Sequence, residues 1–330
     1  MAIDKAKTGR IPTLHVVADT IPQAYFRAMK AVWENGFPIR TEYDRKDAAG
    51  NYIDPASRDA RVLIEVLDPF AEPRFPPISF CEIGVYIAEI MGAKDHRVVP
   101  MEKLKEAVHG ELSAQEWPYT YHQRLFDHPD VDGGTVDQMA IAVERVARTP
   151  YTRRAVATTS VPNIDVFLKE DVPCLREVQL RCPEDADGNL VLNMNTAWRS
   201  RDLYKAWGDN VVAITFLQRS LADQIAEKAG RPVRVGSYAD YTFAMHIYGQ
   251  DFGAVGGDAE RGLQSFFDTF DEATFVARAL TSEMARDMLV LPQLENLLTE
   301  RQIAQWGFPS KAVALIEGLI HDLETGKCVP

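Results

Sequence analysis

The segment VPCLREVQLRCPEDADGNLVLNMNTAWRSRDLYKAWGDN, residues 172–210, decides how this chain folds. Leu175 to Cys182 reads as a strand, and Leu190 to Ala197 as a second. Between them PEDADGN supplies the proline, aspartates, glycine and asparagine of a hairpin turn. Beyond the second strand the pattern lengthens to a helical period. It predicts a long helix from roughly Leu203 to Lys228, stopped at Gly230.

Working outward, Ala155 to Ser160 reads as a third strand after the basic turn at Arg153, and Val233 to Tyr248 as more strand, rich in β-branched and aromatic residues. Further upstream, LHVV at 14–17 is a short strand, followed by a helix from Pro22 to about Asn35. The polar run 44–60 reads as a surface loop and 61–69 as a strand. Ile83, Tyr86, Ile87 and Ile90 predict a helix from about Ser79 to Met91. The last 70 residues look helical, with helices near 258–287 and 310–325. GAVGGD, 253–258, lacks the P-loop lysine and reads as a loop. The expectation is one α/β (α+β) domain over residues 1–330. It carries an elaborated N-terminal region, about 1–110, and a helical C-terminal region, about 255–330.

The bulk numbers narrow the function. Of 330 residues 46% are hydrophobic and 25% charged, as in a soluble globular protein. No run approaches the ~18 to 20 apolar residues of a membrane helix. MAIDKAKTGRIPTLHVV lacks a long apolar core and a small-residue cleavage site, so no signal peptide and a cytoplasmic location are expected. A net charge of −12 argues against general nucleic-acid binding, while leaving room for arginines that hold a small anion. The four cysteines, Cys81, Cys174, Cys182 and Cys328, form no C-x-x-C pair and have no histidine at zinc-ligand spacing. No metal is expected, and the useful question is whether one cysteine is a reactive thiol.

Cys174 has the neighbours for it. Pro173 precedes it, Arg176 follows, and Gln179 lies five residues on. Arg199-Ser200-Arg201-Asp202 comes next, then Asn210 eight residues beyond Asp202, then His246 and Tyr248 in an H-x-Y element. Arg153 and Arg154 stand some twenty residues upstream. This order, RR…PC-x4-Q…RS-x-D-x7-N…H-x-Y, resembles the catalytic half of thymidylate synthase and its nucleotide-hydroxymethylase relatives, over roughly residues 148–251.

The resemblance implies a curved mixed β-sheet flanked by helices and a homodimer formed by sheet-to-sheet packing. It implies one-carbon transfer from methylenetetrahydrofolate to carbon 5 of a pyrimidine nucleoside 5′-monophosphate. A thiolate, Cys174, adds to carbon 6 and makes carbon 5 nucleophilic. Arginine charge nearby favours that thiolate. Arg199 and Ser200 would hold the 5′-phosphate, with Arg153 and Arg154 reaching it from the partner subunit. Asp202 would help place pyrimidine and folate, His246 and Tyr248 would bond the 3′-hydroxyl, and Gln179 would order the cysteine strand.

Asn210 would read the base. An amide suits the oxygen and ring N–H of uracil, whereas adjacent Asp209 in its place would favour cytosine. In WPYTYHQRL, 117–125, Tyr121 is the candidate active-site tyrosine and Tyr119 the alternative. Glu82 and Glu89, seven apart on one helical face, are the candidates for proton transfer at the ring.

Two departures keep alternatives open. Leu175 stands where many members have histidine, and the tail GKCVP is unlike the usual terminus. The leading expectation is conversion of dUMP to dTMP. A hydroxymethylase, making a 5-hydroxymethyl derivative of CMP, dCMP or dUMP, and a catalytically silent nucleotide binder are the alternatives.

Overall fold

The computed structural model describes residues 9–78, 80, 82–107, 112–113, 116–130, 132–168, 172–253 and 261–330. Cys81 and most of GAVGGD lie outside them. The strands, in chain order, are β1 (Thr13–Ala18), β2 (Phe37–Ile39), β3 (Ser57–Val66), β4 (His128–Pro129) and β5 (Thr135–Val136). They continue with β6 (Val156–Thr158), β7 (Leu175–Arg181), β8 (Leu190–Trp198), β9 (Arg201–Asp202) and β10 (Val233–Ile247). The principal helices are α1 (Ile21–Asn35), α2 (Ile83–Ile90), α3 (Tyr121–Phe126), α4 (Gln138–Arg148), α5 (Trp207–Ala229), α6 (Leu291–Leu297) and α7 (Ser310–Glu324). The chain divides into two compact units. One comprises Met1–Phe80, Ala197–Val211 and Tyr238–Thr281, and the other Cys81–Thr196, Val212–Ser237 and Ser282–Pro330.

In the first unit β1 runs parallel to β3, with Val16 opposite Ile64. From Tyr238 onward β10 runs antiparallel to β3, β2 pairs antiparallel with β3, and β9 lies parallel to β10 with Asp202 opposite His246. The sheet is therefore mixed. Alternation puts Val16, Ala18, Val62, Ile64, Val66 and Tyr238 on the buried face. There α1 adds Tyr25, Phe26, Met29 and Val32, all buried. Thr20 caps that helix in a reciprocal box with Gln23. On the opposite face Val17, Leu63 and Phe243 are exposed.

In the second unit the strand order is β8-β7-β6, with β6 antiparallel to β7 and Val156 opposite Gln179. From Val212 on, α5 buries Ile214, Phe216, Leu217, Leu221 and Ile225. Gln218 of this helix donates to Leu192 O at 2.8 Å and Ser237 O at 3.1 Å, which ties it to the sheet. Apolar α2 seats on the C-terminal segment at Gly84. A Cβ there would meet Val290 O at 2.6 Å, and the Gly84 N–H donates to Gln293 Oε1 at 2.7 Å. Val290 ends a single π-helical turn, Arg286–Val290, that runs into α6.

Of the boundaries that differ from the sequence reading, three have a clear local reason. The long helix starts at Trp207, not Leu203, because Asp202 Oδ1 accepts from the backbone N–H groups of Tyr204 and Lys205 and holds them in a turn. The loop at 44–60 gives way to β3 at Ser57, whose Ser57, Asp59 and Ala60 are buried despite the polar composition. The helix expected near 258–287 is broken among the described residues into Gln264–Thr269, Glu272–Val276 and Ser282–Ala285, with Asp271 restarting it as a cap.

Candidate active site

The candidate nucleophile and its neighbours lie in the second unit. Cys174 immediately precedes β7, is half-buried, and places its Sγ 4.0 Å from Val172 O. The next residue, Leu175, is fully buried, and its N–H donates to the Tyr121 hydroxyl at 3.4 Å. Tyr121 is the first residue of α3. Thr120 caps that helix through Gln123 N and donates to Asp95, which also binds His122. His122 fits because Gly92 has φ of 102° and no side chain where the imidazole packs. Tyr119 lies against the Arg124 guanidinium instead, 5.7 Å from its ring centroid. Of the two tyrosines, Tyr121 has its hydroxyl beside the cysteine strand. Burial pushes the thiols of Cys182 and Cys328 up to about 11, which makes both poor nucleophiles at neutral pH.

The two early glutamates separate. Glu82 sits one residue before α2 and is exposed. Glu89 is in the last turn, where burial raises its carboxyl above the ordinary range against the opposing pull of Lys94. Lys94 Nζ lies 3.1 Å from Glu89 Oε2 and between the rings of Trp117 and Trp306, at 5.3 and 4.6 Å from their centroids. Sequence reasoning missed this lysine; a lone Lys in GAKDH carries no signal.

Gln179 accepts from Asn195 and donates to Arg153 O, both at 3.4 Å, so it joins β8 and the basic turn to the cysteine strand. Arg153 and Arg154 are both exposed. Their backbone is engaged, with Arg145 donating to Arg154 O at 2.9 Å. Their guanidinium groups find no partner among the described residues of this chain.

The other candidate nucleotide-binding residues lie in the first unit. Arg199 is exposed and Ser200 half-buried at the end of β8. Asp202 has its carboxyl raised by burial, with one oxygen committed to the turn it caps. His246 is almost fully buried. Its Nδ1 contacts Ala244 O at 3.1 Å, its Nε2 has no partner among the described residues, and burial lowers its pKa. The Tyr248 ring stands edge-on to it at 4.4 Å.

Asn210 lies in the first turn of α5 with its Oδ1 accepting from Arg201 Nε at 3.0 Å. Arg201 is in turn bound through Nη1 to buried Asp240 at 2.9 Å. In the sequence it stands at the variable position of RS-x-D, and an arginine between two candidate site residues is the available signal.

Four arginines lie in or beside the early loop: Arg40, Arg45, Arg58 and Arg61. Arg40 and Arg45 are taken by Asp54 and its loop, and Arg61 by Thr13 and Ile11. Arg58 is partly buried over the Trp33 ring at 5.2 Å, with its Nε unpartnered among the described residues. Those residues contain no cluster of three or more metal-ligating side chains. None of their helices is long and apolar enough to cross a membrane.

Residues 104–305 match the family model described as thymidylate synthase, a span that takes in every candidate from Tyr119 to Tyr248 and leaves α2 outside. The chain is 27% identical over 250 residues to a protein of Methanococcoides burtonii named "Putative thymidylate synthase", covering 76% of this chain and 94% of that one. A protein of the same name from Methanosarcina barkeri is 27% identical over 254 residues, covering 76% and 95%. Another, from Methanothermobacter marburgensis, is 35% identical over 134 residues, covering 41% and 52%. With the cysteine, arginine, asparagine and histidine positions all inside a match spanning more than half its length, the chain belongs to the thymidylate synthase family.

Proposed function

We propose that this protein transfers one carbon from methylenetetrahydrofolate to carbon 5 of a pyrimidine nucleoside 5′-monophosphate, with dUMP converted to dTMP. The observation that carries the reading is the thiol inventory. Cys174 is the half-exposed cysteine of the family match, beside the Tyr121 hydroxyl, while Cys182 and Cys328 are suppressed by burial. Cys174 Sγ adds to carbon 6, and carbon 5 attacks the methylene carbon as its bond to one folate nitrogen breaks. Loss of the carbon 5 proton then expels the second folate nitrogen and gives an exocyclic methylene. Hydride from the tetrahydrofolate then makes the methyl group as the thiolate departs.

In this reading Tyr121 and Glu89 handle protons at the ring. Arg199, Ser200 and, from a second copy, Arg153 and Arg154 hold the phosphate. Asp202 orients the ligands, while His246 and Tyr248 take the sugar hydroxyl. The exposed Val17, Leu63 and Phe243 face supports a homodimer.

Buried Leu175, in place of histidine, favours a second reading, in which water captures the methylene and yields a hydroxymethyl nucleotide. Mass spectrometry of an equimolar pool of dUMP, UMP, dCMP and CMP, incubated with enzyme and methylenetetrahydrofolate, tests both. A gain of methyl on dUMP is expected. A hydroxymethyl product selects the second reading, and an unchanged pool refutes one-carbon transfer to these nucleotides.

A further inference from the structure

His246 and Asp59 stand directly opposite each other on the antiparallel strands β10 and β3. The pairing slips between Thr242 and Met245, where three steps along β10 are matched by two along β3. A bulge of this kind re-aims the side chains that follow it. It sends Met245 into the core and turns His246 onto the other face of the sheet, in one row with Asp59. Both side chains are more than nine-tenths buried. Each holds an orphan: His246 Nε2 and Asp59 Oδ1 have no hydrogen-bond partner among the described residues, and so do not bond each other.

Both orphans are acceptors. His246 Nδ1 faces a carbonyl, Ala244 O at 3.1 Å, so Nδ1 carries the ring hydrogen. Burial lowers the His246 pKa, and the neutral ring is left with a lone pair on Nε2. The Asp59 carboxyl, raised to about 6, is an anion at pH 8. The rest of the row brings no donor. The side chain of Phe37, opposite Asp59 on β2, has none. Asp202, opposite His246 on β9, is a third acceptor. Arg61, next to Asp59 on the same face of β3, is held by Thr13 and Ile11.

We propose that Asp59 is a further substrate-binding residue, which accepts from the 2′-hydroxyl of a ribonucleotide beside the 3′-hydroxyl at His246. The proposal rests on the reading of His246 as a residue that meets the sugar. It widens the substrate class from deoxyribonucleotides to ribonucleotides. Two buried acceptors without a donor between them call for two donors on the ligand. Ribose supplies both, from adjacent carbons on one face of the ring, with one hydrogen on each hydroxyl. Directly opposed residues stand about 5 Å apart at Cβ, a spacing that lets neighbouring hydroxyls reach one acceptor each. Deoxyribose brings a single donor and leaves the carboxylate oxygen unsatisfied.

The test is calorimetric titration at pH 8 of the wild-type protein with UMP, dUMP and 2′-fluoro-dUMP, and with the same three cytosine nucleotides. Fluorine fills the place of the hydroxyl and has no hydrogen to donate. For whichever base binds, the ribonucleotide should bind about tenfold tighter than the deoxy and fluoro forms. Asp59→Ala should bring the three to within about twofold by weakening the ribonucleotide alone. Asp59→Asn, whose amide oxygen still accepts, should keep a preference for ribose.

A wild type that binds the deoxynucleotide as tightly as the ribonucleotide overturns the proposal, and the nucleotide reading stands. So does an Asp59→Ala protein that keeps the preference, or that weakens all three forms equally, as a structural role would. Binding of no nucleotide removes that reading and the proposal together. If Asp59→Ala fails to fold, crystals of the wild type with the ribonucleotide decide. Asp59 Oδ1 must lie within hydrogen-bond distance of the 2′ oxygen, and a water in that place refutes the assignment.

Discussion

Replacing Lys94 with methionine isolates the charge it holds beside Glu89. The volumes are close, so the Trp117 and Trp306 rings keep a neighbour. The ammonium 3.1 Å from Glu89 Oε2 is lost. At that distance, and an effective dielectric of about 20, the attraction is about 5 kcal/mol. Relaxation and water entry reduce it, so the expected loss of stability at pH 7 is about 3 kcal/mol, typical of a broken buried pair.

Its pH dependence carries the sign. Burial already raises the Glu89 pKa. A carboxyl with a raised folded pKa weakens the fold as pH climbs from the ordinary carboxylate range through that folded value. Removing Lys94 raises the folded value further, so the extra loss is greatest at neutral pH and fades in acid. Urea denaturation of wild type and Lys94→Met, followed by tryptophan fluorescence at pH 7 and pH 5, reads this directly. The gap between the proteins should shrink at pH 5 to less than half its neutral value. An equal gap at both pH values would mean that the loss comes from packing in the aromatic box, and the charge account would be wrong.

Other outcomes follow from the same geometry. A maleimide at pH 7 should label Cys174 at least tenfold faster than Cys182 or Cys328, whose thiols are pushed up to about 11, as peptide mapping would show. Tyr121→Phe should lower kcat by about 10² with little change in melting temperature, whereas Tyr119→Phe should stay within a fewfold of wild type. Mixing inactive Cys174→Ser with an Arg153→Ala/Arg154→Ala double variant should restore activity if the arginines act across a dimer; no restoration places them in their own subunit's site or outside catalysis. Asp59 is raised to about 6 by burial, a cost that is absent in acid and complete above that pH. Asp59→Asn should therefore stabilise the protein at pH 7 by roughly 2 kcal/mol. The gain should vanish below pH ~4 in urea titrations.

Much of the fold and the candidate chemistry was legible because it is written in local pattern. The hairpin turn residues, the period of α1 and the motif around Cys174 depend on neighbours in sequence, and α1, β7 and β8 emerge close to where the pattern puts them. What was hidden depends on tertiary burial. Ser57 and Asp59 look like loop and lie in β3, because neighbouring strands accept their backbone. The two glutamates are equivalent by spacing and unlike in burial. Tyr119 and Tyr121 are equivalent in composition, and one cap at Thr120 separates them. Arg201 illustrates the limit most clearly, since its effect on Asn210 depends on Asp240, thirty-nine residues downstream.

The glycine seat under α2 gives the C-terminal segment a mechanical part to play. Backbone presses on backbone at Gly84 and Val290, with no pliant side chain between them. Any displacement of the π turn must therefore pass into α2 as a rigid shift. Glu89 rides on the same short rod, about one and a half helical turns further along. Tolerances of a few tenths of an ångström in a stretch some two hundred residues away in the chain are thus inherited by a carboxyl whose proton affinity depends on its surroundings. Even a single added methyl group at residue 84 would act as a shim beneath it.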